Sequence, residues 1–153
     1  MGTNVVSLGE ALTSEENLLR GLNPRYCEQG IPTEQCFILR RNDVVHDGPS
    51  FGVERPGGPV GERQGLTHQE FAALMTAGYG VARVNVGEAL QHIQTSSVAF
   101  YLKDAEDWGR HRGAHAMISG HQSFTRRQIG ELSRHLTQLA VRAVVKSPAP
   151  KTS

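Results

Sequence analysis

The 153-residue sequence has little cysteine, few aromatic residues and no long apolar run. Its two cysteines, Cys27 and Cys36, are too few for a disulfide framework, and Cys36 within the apolar run CFIL is expected in the core. No stretch approaches the ~20 apolar residues that span a bilayer. The first residues also lack the basic start and apolar centre of a secretory signal. These absences predict a protein of the bacterial cytoplasm that has no membrane contact.

The charges of the chain nearly cancel, because 16 lysines and arginines face 15 aspartates and glutamates. Such balance provides no long-range field for capturing nucleic acid or an acidic membrane. A low apolar content of 38% indicates a modest core, and 17 glycines with 7 prolines indicate many turns and short elements. The length predicts one domain, which we place at residues 1–146, followed by a disordered tail at 147–153.

Three capping-box signatures, beginning at Thr13, Thr67 and Thr125, each predict the start of a helix. The first predicts a short helix over residues 14–21, and the second predicts a helix that ends by Gly78. The third opens the strongest helical pattern in the chain, with apolar residues repeating on one face.

Short apolar or alternating runs predict strands over residues 35–40, 50–53, 81–86, 97–102 and 114–119. Segments 55–65 and 103–113 are predicted loops. A helical turn or two is predicted over residues 87–93. Segment 141–145 is predicted to be either a last strand or a continuation of the third helix. No regular strand–helix–strand rhythm is present. We therefore predict an α+β fold, with a small mixed or mostly antiparallel sheet of about four to six short strands and two or three helices packed on it.

Three histidines, His111, His115 and His121, fall close together and raise the question of a metal site. His111 and His115 have the spacing of ligands on a helix, but the surrounding glycines favour a loop followed by a strand. On an extended chain the outer two histidines lie roughly 20–30 Å apart. We therefore predict no metal and no cofactor. His115 is either an ordinary strand histidine or a group that the strand holds for catalysis or ligand binding.

A candidate catalytic set consists of polar residues that the predicted strands carry: Arg41, Ser50, Arg83 and His115. Asn85 lies on the same predicted strand as Arg83. Arginine forks bind phosphate or carboxylate, and histidine transfers protons near neutral pH. Together they would suit an enzyme that acts on a small phosphate-bearing, nucleotide-like ligand. The alternative is that these charges protect the edges of the sheet.

Arg126 and Arg127 lie in the first turn of the predicted third helix, where the helix dipole disfavours cations. Beside free backbone N–H groups they form a candidate anion-binding site. The alternative is a solvated pair, partly neutralised by Glu131. A nucleic-acid interface would use the basic C-terminal third: Arg126, Arg127, Arg134, Arg142 and Lys146. It is disfavoured, because these residues do not share one helical face and no aromatic residue is there to stack on bases.

The runs FILRR, GPSFGV, GVARVNVGE and HAMISG, in this order within residues 35–145, resemble a set of small uncharacterised bacterial proteins associated with mobile or defence-related gene clusters. That resemblance implies a component of a multi-protein system and no particular reaction. Arg40, Ser50 and Glu88 also follow the order of functional residues in ADP-ribosyltransferases, which implies an alternative transferase activity. The sequence departs from that family because the Ser-Thr-Ser run and the paired glutamates are absent, and Glu88 comes early in the chain.

Common catalytic motifs are missing: the sequence has no phosphate-binding loop, no serine nucleophile elbow and no zinc-protease motif. Glycine- and proline-rich loops suit contacts with other proteins. We therefore predict a binding domain that acts through a protein partner. The enzyme and the nucleic-acid interface are the two alternatives.

Overall fold

A computed structural model describes residues 8–39, 50–54, 66–91, 98–103, 107–108, 111–112 and 115–150. It confirms the predicted α+β fold, because an antiparallel sheet carries helices on both of its faces. No helix in these ranges is long and apolar enough to cross a membrane. The predicted loop 55–65 lies outside the described residues.

The strands are β1 (Leu8–Ala11), β2 (Asn17–Leu22), β3 (Cys27–Glu28), β4 (Ile31–Pro32), β5 (Ser50–Val53), β6 (Gly80–Asn85), β7 (Ala99–Lys103), β8 (Asp107–Trp108), β9 (His111–Arg112), β10 (His115–Ser119) and β11 (Val144–Lys146). The α-helices are α1 (His68–Leu74), α2 (Val86–Ala89) and α3 (Arg126–Arg142). Short 3₁₀ helices cover Pro24–Tyr26, Glu34–Phe37 and His121–Ser123.

The main sheet has the strand order β1-β7-β10-β5-β2-β6-β11, and its described pairs are all antiparallel. Strand β2 pairs with β6 along its whole length, whereas its pairing with β5 covers Leu18 and Leu19. Two small hairpins, β3–β4 and β8–β9, stand apart from this sheet.

The larger core lies between the sheet and α3, on what we call the α3 face. Alternate residues of β2 and β6 point to this face, as strand geometry requires, and Leu18, Leu22 and Val84 are buried there. Helix α3 contacts β6 and the 3₁₀ helix Glu34–Phe37. It contributes an apolar stripe whose buried members are Ile129, Leu132, Leu136 and Ala140.

A smaller core forms where α1 packs on the opposite face, which we call the α1 face. Leu19 and Val81 of the sheet are buried there against Phe71 of α1. Gly52 permits this close approach, because a Cβ atom at Gly52 would lie 2.5 Å from Cδ1 of Phe71. A Cβ atom at Gly21, on the neighbouring strand, would lie 2.7 Å from Sδ of Met75. The sheet therefore carries α1 close to its backbone.

The predicted helix over residues 14–21 is wrong, because residues 17–21 belong to strand β2. One of the two bonds of the capping box is nevertheless present: the backbone N–H of Thr13 donates to the Glu16 carboxylate at 2.7 Å. Glu16 N–H in turn donates to the Thr13 carbonyl, so these residues close a turn. Pairing with β5 on one side and β6 on the other then draws the next six residues into the sheet.

The predicted strand over residues 35–40 is also wrong, because Glu34–Phe37 is a 3₁₀ helix that Thr33 caps. Its side chains remain buried, since Cys36 and Phe37 have no more than 2% exposed surface. A short apolar run specifies burial without specifying the conformation of the backbone. Within the predicted loop 103–113, β8 and β9 form a hairpin.

The capping boxes at Thr67 and Thr125 are confirmed, and both sets of reciprocal hydrogen bonds are present. The predicted strand 50–53 is confirmed as β5, and the helical turn after β6 is confirmed as α2. Segment 141–145 combines both predicted alternatives, because α3 ends at Arg142 and β11 begins at Val144. Of the predicted tail, residues 147–150 are described, and Pro148 is buried against Gly80.

Candidate functional site

A cleft of about 330 Å³ opens beside the C-terminal half of β2. Strand β5 begins at Ser50, so its pairing with β2 covers only the first part of that strand. The cleft lies beside the part of β2 that follows Leu19, and its described lining comes from both faces of the sheet. The described residues that line the cleft are Arg20, Gly21, Asn23, Tyr26, Cys36, Phe71, Met75 and Tyr79.

Among the described residues that line the cleft, Arg20 carries a positive charge. It lies opposite the small residue Ala82 in the sheet, and its Nε donates to the carbonyl of Cys36 at 2.9 Å. Its Cζ lies 5.9 Å from the ring centroid of Phe37 and 5.7 Å from that of Phe51, within the range of cation–π attraction. The residue keeps some exposed surface, but protein surrounds its guanidinium, and this burial lowers the pKa of Arg20. The nearby ionisable groups of Cys36 and Tyr79 oppose that shift.

One wall of the cleft is the segment that follows β2, and side-chain caps set its shape. The side-chain oxygen of Asn23 accepts from the backbone N–H of Arg25 at 3.0 Å, and Pro24 begins the 3₁₀ helix. The Tyr26 carbonyl then accepts from both the N–H and the hydroxyl of Thr33, at 3.1 and 2.5 Å. These bonds join the two 3₁₀ helices and hold Tyr26 at the mouth of the cleft.

The two buried cysteines lie side by side beneath this wall. The thiol of Cys27 donates to the carbonyl of Asn23 at 3.4 Å, and the thiol of Cys36 donates to the carbonyl of Tyr26 at 3.6 Å. Burial raises the pKa of Cys36; hydrogen bonds to Thr33 and Cys27 and the charge of Arg20 act in the opposite direction. The raised pKa keeps Cys36 as a thiol, which is a weak nucleophile at neutral pH.

The opposite wall comes from the end of α1 and the turn after it. Helix α1 is capped at Met75, whose thioether lies against Gly21. The next turn has Gly78 in the left-handed region at φ 92°, which suits a residue without a side chain. This turn brings the ring of Tyr79 over Gly21. The wall is therefore apolar, with the phenol of Tyr79 as a polar group.

The predicted candidate Arg83 lies elsewhere, in a polar network on the α1 face. Its Nε and Nη2 donate to the two carboxylate oxygens of Glu54 at 2.7 and 2.6 Å. These bonds are the main reason that the pKa of Arg83 is raised. Asn17 also donates to Glu54, and Asn85 donates to Asn17. A phosphate at Arg83 would have to displace this carboxylate.

The structure places Arg83 and His115 in one transverse row of the sheet. His115 pairs with Gly52, Gly52 with Leu19, and Leu19 with Arg83. Three strand spacings separate the two ends of this row, which is about 14 Å. Phe71 packs over Gly52, within the row. Both residues are on extended backbone, as predicted, but the row keeps their backbones apart.

The other predicted site residues that the structure describes are not in this row and do not line the cleft. Ser50 begins β5, where it pairs with Met117, and Arg41 lies outside the described residues. Arg126 and Arg127 are exposed in the first turn of α3, as predicted. Arg127 pairs with Glu131 at 3.5 Å. An anion site at Arg126 and Arg127 stays a prediction.

The predicted histidine group is divided among three elements. His111 belongs to β9, His115 to β10, and His121 to a 3₁₀ helix in which it is buried. In the part of the chain that the structure describes, no three His, Cys, Asp or Glu residues come together as a metal-binding group.

The cleft could not be inferred from the sequence, because the predicted helix over residues 14–21 includes Arg20. As a strand, the run LLRGL places Arg20 on the same face as Leu18 and Leu22, which are core residues. A charged residue aligned with buried leucines is the signal that was available. The contribution of Tyr79 depends on how α1 docks and could not be read locally.

Comparisons with protein-family models, with curated proteins and with solved structures found no match for this chain.

Proposed function

We propose that this protein acts mainly through contacts with a partner protein, as a component of a multi-protein system in the bacterial cytoplasm. The surface that carries this proposal consists of Tyr26, Ile31 and Ile38, which we call the apolar contact surface. These side chains are 42%, 52% and 50% exposed. Single exposed apolar residues are common on proteins, but a concentration of them marks an interaction site.

The three residues are close together in the sequence. Among the described residues, five large apolar side chains are exposed, and three of them lie within residues 24–38. This segment is held in shape by the bonds of Tyr26 and Thr33 and by contacts with α3. An interface that exists before binding loses little conformational entropy when the partner docks.

The composition of the surface also supports a protein partner. Tyrosine is enriched in protein interfaces. Tyr26 is at the mouth of the cleft that contains Arg20. The near-neutral charge of the chain disfavours nucleic acid as the partner.

Site-specific photocrosslinking in the source cell tests this proposal. A benzophenone side chain at position 31 or 38 should capture one discrete protein, because both positions are exposed and tolerate a large residue. Position 141 on α3 is the matched control, since Val141 is 43% exposed but lies outside the surface. Capture of the same species at 141, or of none at 31 and 38, would contradict the proposal. Crosslinking to nucleic acid would favour the alternative interface.

A further inference from the structure

We propose that Cys27 and Cys36 form a redox-modification site, at which a low-molecular-weight disulfide such as glutathione disulfide converts the two thiols into one disulfide bond. They are the only cysteines in the sequence, and both are buried in the thiol form, each 2% exposed. The inference concerns chemistry within the chain and does not rest on the apolar contact surface.

The fold holds the two sulfurs together through the peptide that joins Tyr26 to Cys27. The Tyr26 carbonyl accepts hydrogen bonds from the backbone N–H and the hydroxyl of Thr33, and from the thiol of Cys36 at 3.6 Å. A carbonyl oxygen is about 2.8 Å from the Cα atom of the next residue in a trans peptide, so the Cys36 sulfur lies within about 6.4 Å of the Cys27 Cα. The Cys27 thiol is also close enough to hydrogen-bond to the Cys36 sulfur. Forming the S–S bond then requires side-chain movement on the order of 2 Å.

The surrounding backbone accommodates the loss of both thiol protons. Oxidation removes the S–H groups that donate to the carbonyls of Asn23 and Tyr26. The Asn23 carbonyl also accepts from the backbone N–H of Tyr26 at 2.9 Å, and the Tyr26 carbonyl keeps both of its bonds from Thr33. Neither carbonyl therefore becomes an acceptor without a donor, which would lower the stability of the oxidised form.

The cleft beside β2 gives an oxidant its approach to the pair. Cys36 is among the residues that line this cleft, and Cys27 is not among its described lining residues. Burial raises the pKa of Cys36, so the reactive thiolate is scarce and the first step is slow at neutral pH. The pair is therefore suited to a sustained change in the ratio of thiols to disulfides, and responds little to a brief pulse of oxidant.

The reaction consists of two thiol–disulfide exchanges. The Cys36 thiolate attacks one sulfur of glutathione disulfide, so the bond within the oxidant breaks, a mixed disulfide forms on Cys36, and one glutathione thiolate leaves. The Cys27 thiolate then attacks the Cys36 sulfur and displaces the second glutathione. The protons of the two cysteines pass to the released glutathione thiolates. The cysteine pair is thus oxidised by two electrons, and the glutathione disulfide is reduced by the same two.

Equilibration of the full chain with mixtures of reduced and oxidised glutathione tests the inference. It is performed without urea and in urea that unfolds the chain, and mass spectrometry after acid quenching measures the reduced, mixed-disulfide and disulfide forms. The equilibrium constant for the intramolecular disulfide should be about 10-fold or more larger in the folded chain, because the fold holds the sulfurs together. This comparison uses the wild-type chain and so does not depend on the folding of any variant.

Digestion after glutamate residues locates the bond. Cleavage at Glu28 and Glu34 separates Cys27 from Cys36, so their peptides should stay joined in the oxidised protein and separate on reduction. Equal equilibrium constants in the folded and unfolded chains would overturn the inference. Disulfides between chains, or a wild-type protein that stops at the mixed disulfide, would do the same.

Two variants test the order of the steps. Cys27→Ala lacks the second thiol and should stop at a mixed disulfide on Cys36, which the wild type should not accumulate. The matched variant Cys36→Ala keeps only Cys27 and should acquire glutathione more slowly, because Cys36 is the residue that lines the cleft. Equal rates in the two variants would overturn the assignment of Cys36 as the residue that reacts first. None of these results depends on the partner captured at positions 31 and 38, so each proposal can fail alone.

Discussion

Replacement of Gly52 by alanine should destabilise the protein by about 1–2 kcal/mol. The added Cβ would lie 2.5 and 2.7 Å from two ring carbons of Phe71. Phe71 is 1% exposed and packs in a cluster with Leu19, Leu66 and Val81, so a shift of its ring would disturb these contacts. Overpacking of this kind costs about 1–3 kcal/mol. The lower entropy of the unfolded alanine chain offsets about 0.4–1 kcal/mol of that cost.

Two other glycines serve as matched controls. At Gly21 the added Cβ would meet the end of the Met75 side chain, which is flexible and half-buried. Gly21→Ala should therefore change stability by less than about 0.5 kcal/mol, because the thioether can move. At Gly130, within α3, the nearest atom would be 3.5 Å away, on Arg134. Gly130→Ala should stabilise the protein by about 0.5–1 kcal/mol through helix propensity.

The assay is equilibrium unfolding in urea, followed by circular dichroism. The three variants should rank in the order Gly130→Ala, Gly21→Ala, Gly52→Ala from most to least stable, with unchanged dependence on urea concentration. Phe71→Leu should reduce the penalty at Gly52, because a double-mutant cycle detects residues in contact. A Gly52→Ala protein as stable as wild type, with Gly130→Ala behaving as expected, would refute the packing argument for α1.

Three further predictions concern single interactions. Thr125→Ala should lower the free energy of unfolding by about 1 kcal/mol, because the Thr125 side chain caps α3. Thr125→Ser keeps the hydroxyl and should retain most of that stability. Equal destabilisation by the two substitutions would contradict this prediction. In a double-mutant cycle, Glu54→Gln and Arg83→Met should show a coupling in the free energy of unfolding of about 1 kcal/mol or less, because both side chains are partly exposed. The coupling should decrease as salt is added. Absence of coupling at low salt would contradict this prediction. Cys36 has a pKa raised by burial, so its thiol is favoured in the folded state. Its contribution should be complete below about pH 8.5 and be lost as pH rises through the raised value. The stability of Cys36→Ala should therefore fall less than that of wild type above about pH 9, and parallel pH profiles would show the explanation to be wrong.

Local sequence signals were sufficient to predict helix starts where the hydrogen bonds join residues close together in the chain. The capping boxes at Thr67 and Thr125 start helices because their bonds join residues three positions apart. The same signature at Thr13 formed a turn and no helix, because β5 and β6 pair with the residues that follow. Tertiary pairing overrode a correct local signal there.

The cleft could not be predicted because its parts meet only in the folded sheet. One wall depends on the docking of α1 on Gly21, and the other depends on the 3₁₀ helices that follow β2. The prediction that Arg83 is on extended backbone was confirmed, but its partner Glu54 is on a different part of the chain. Strand register is set by these distant contacts, which no single segment encodes.

The strand order also bears on how fast the protein folds. Strand β2 begins at residue 17 and pairs with β6, which begins at residue 80, while β5 at residue 50 pairs with β10 at residue 115. The centre of the sheet therefore forms only after long loops close, and their entropy is lost before the contacts are gained. Domains dominated by such non-local pairing fold in roughly milliseconds to seconds. During that interval the unpaired central strands would be exposed to other chains, so yield on refolding should depend on protein concentration.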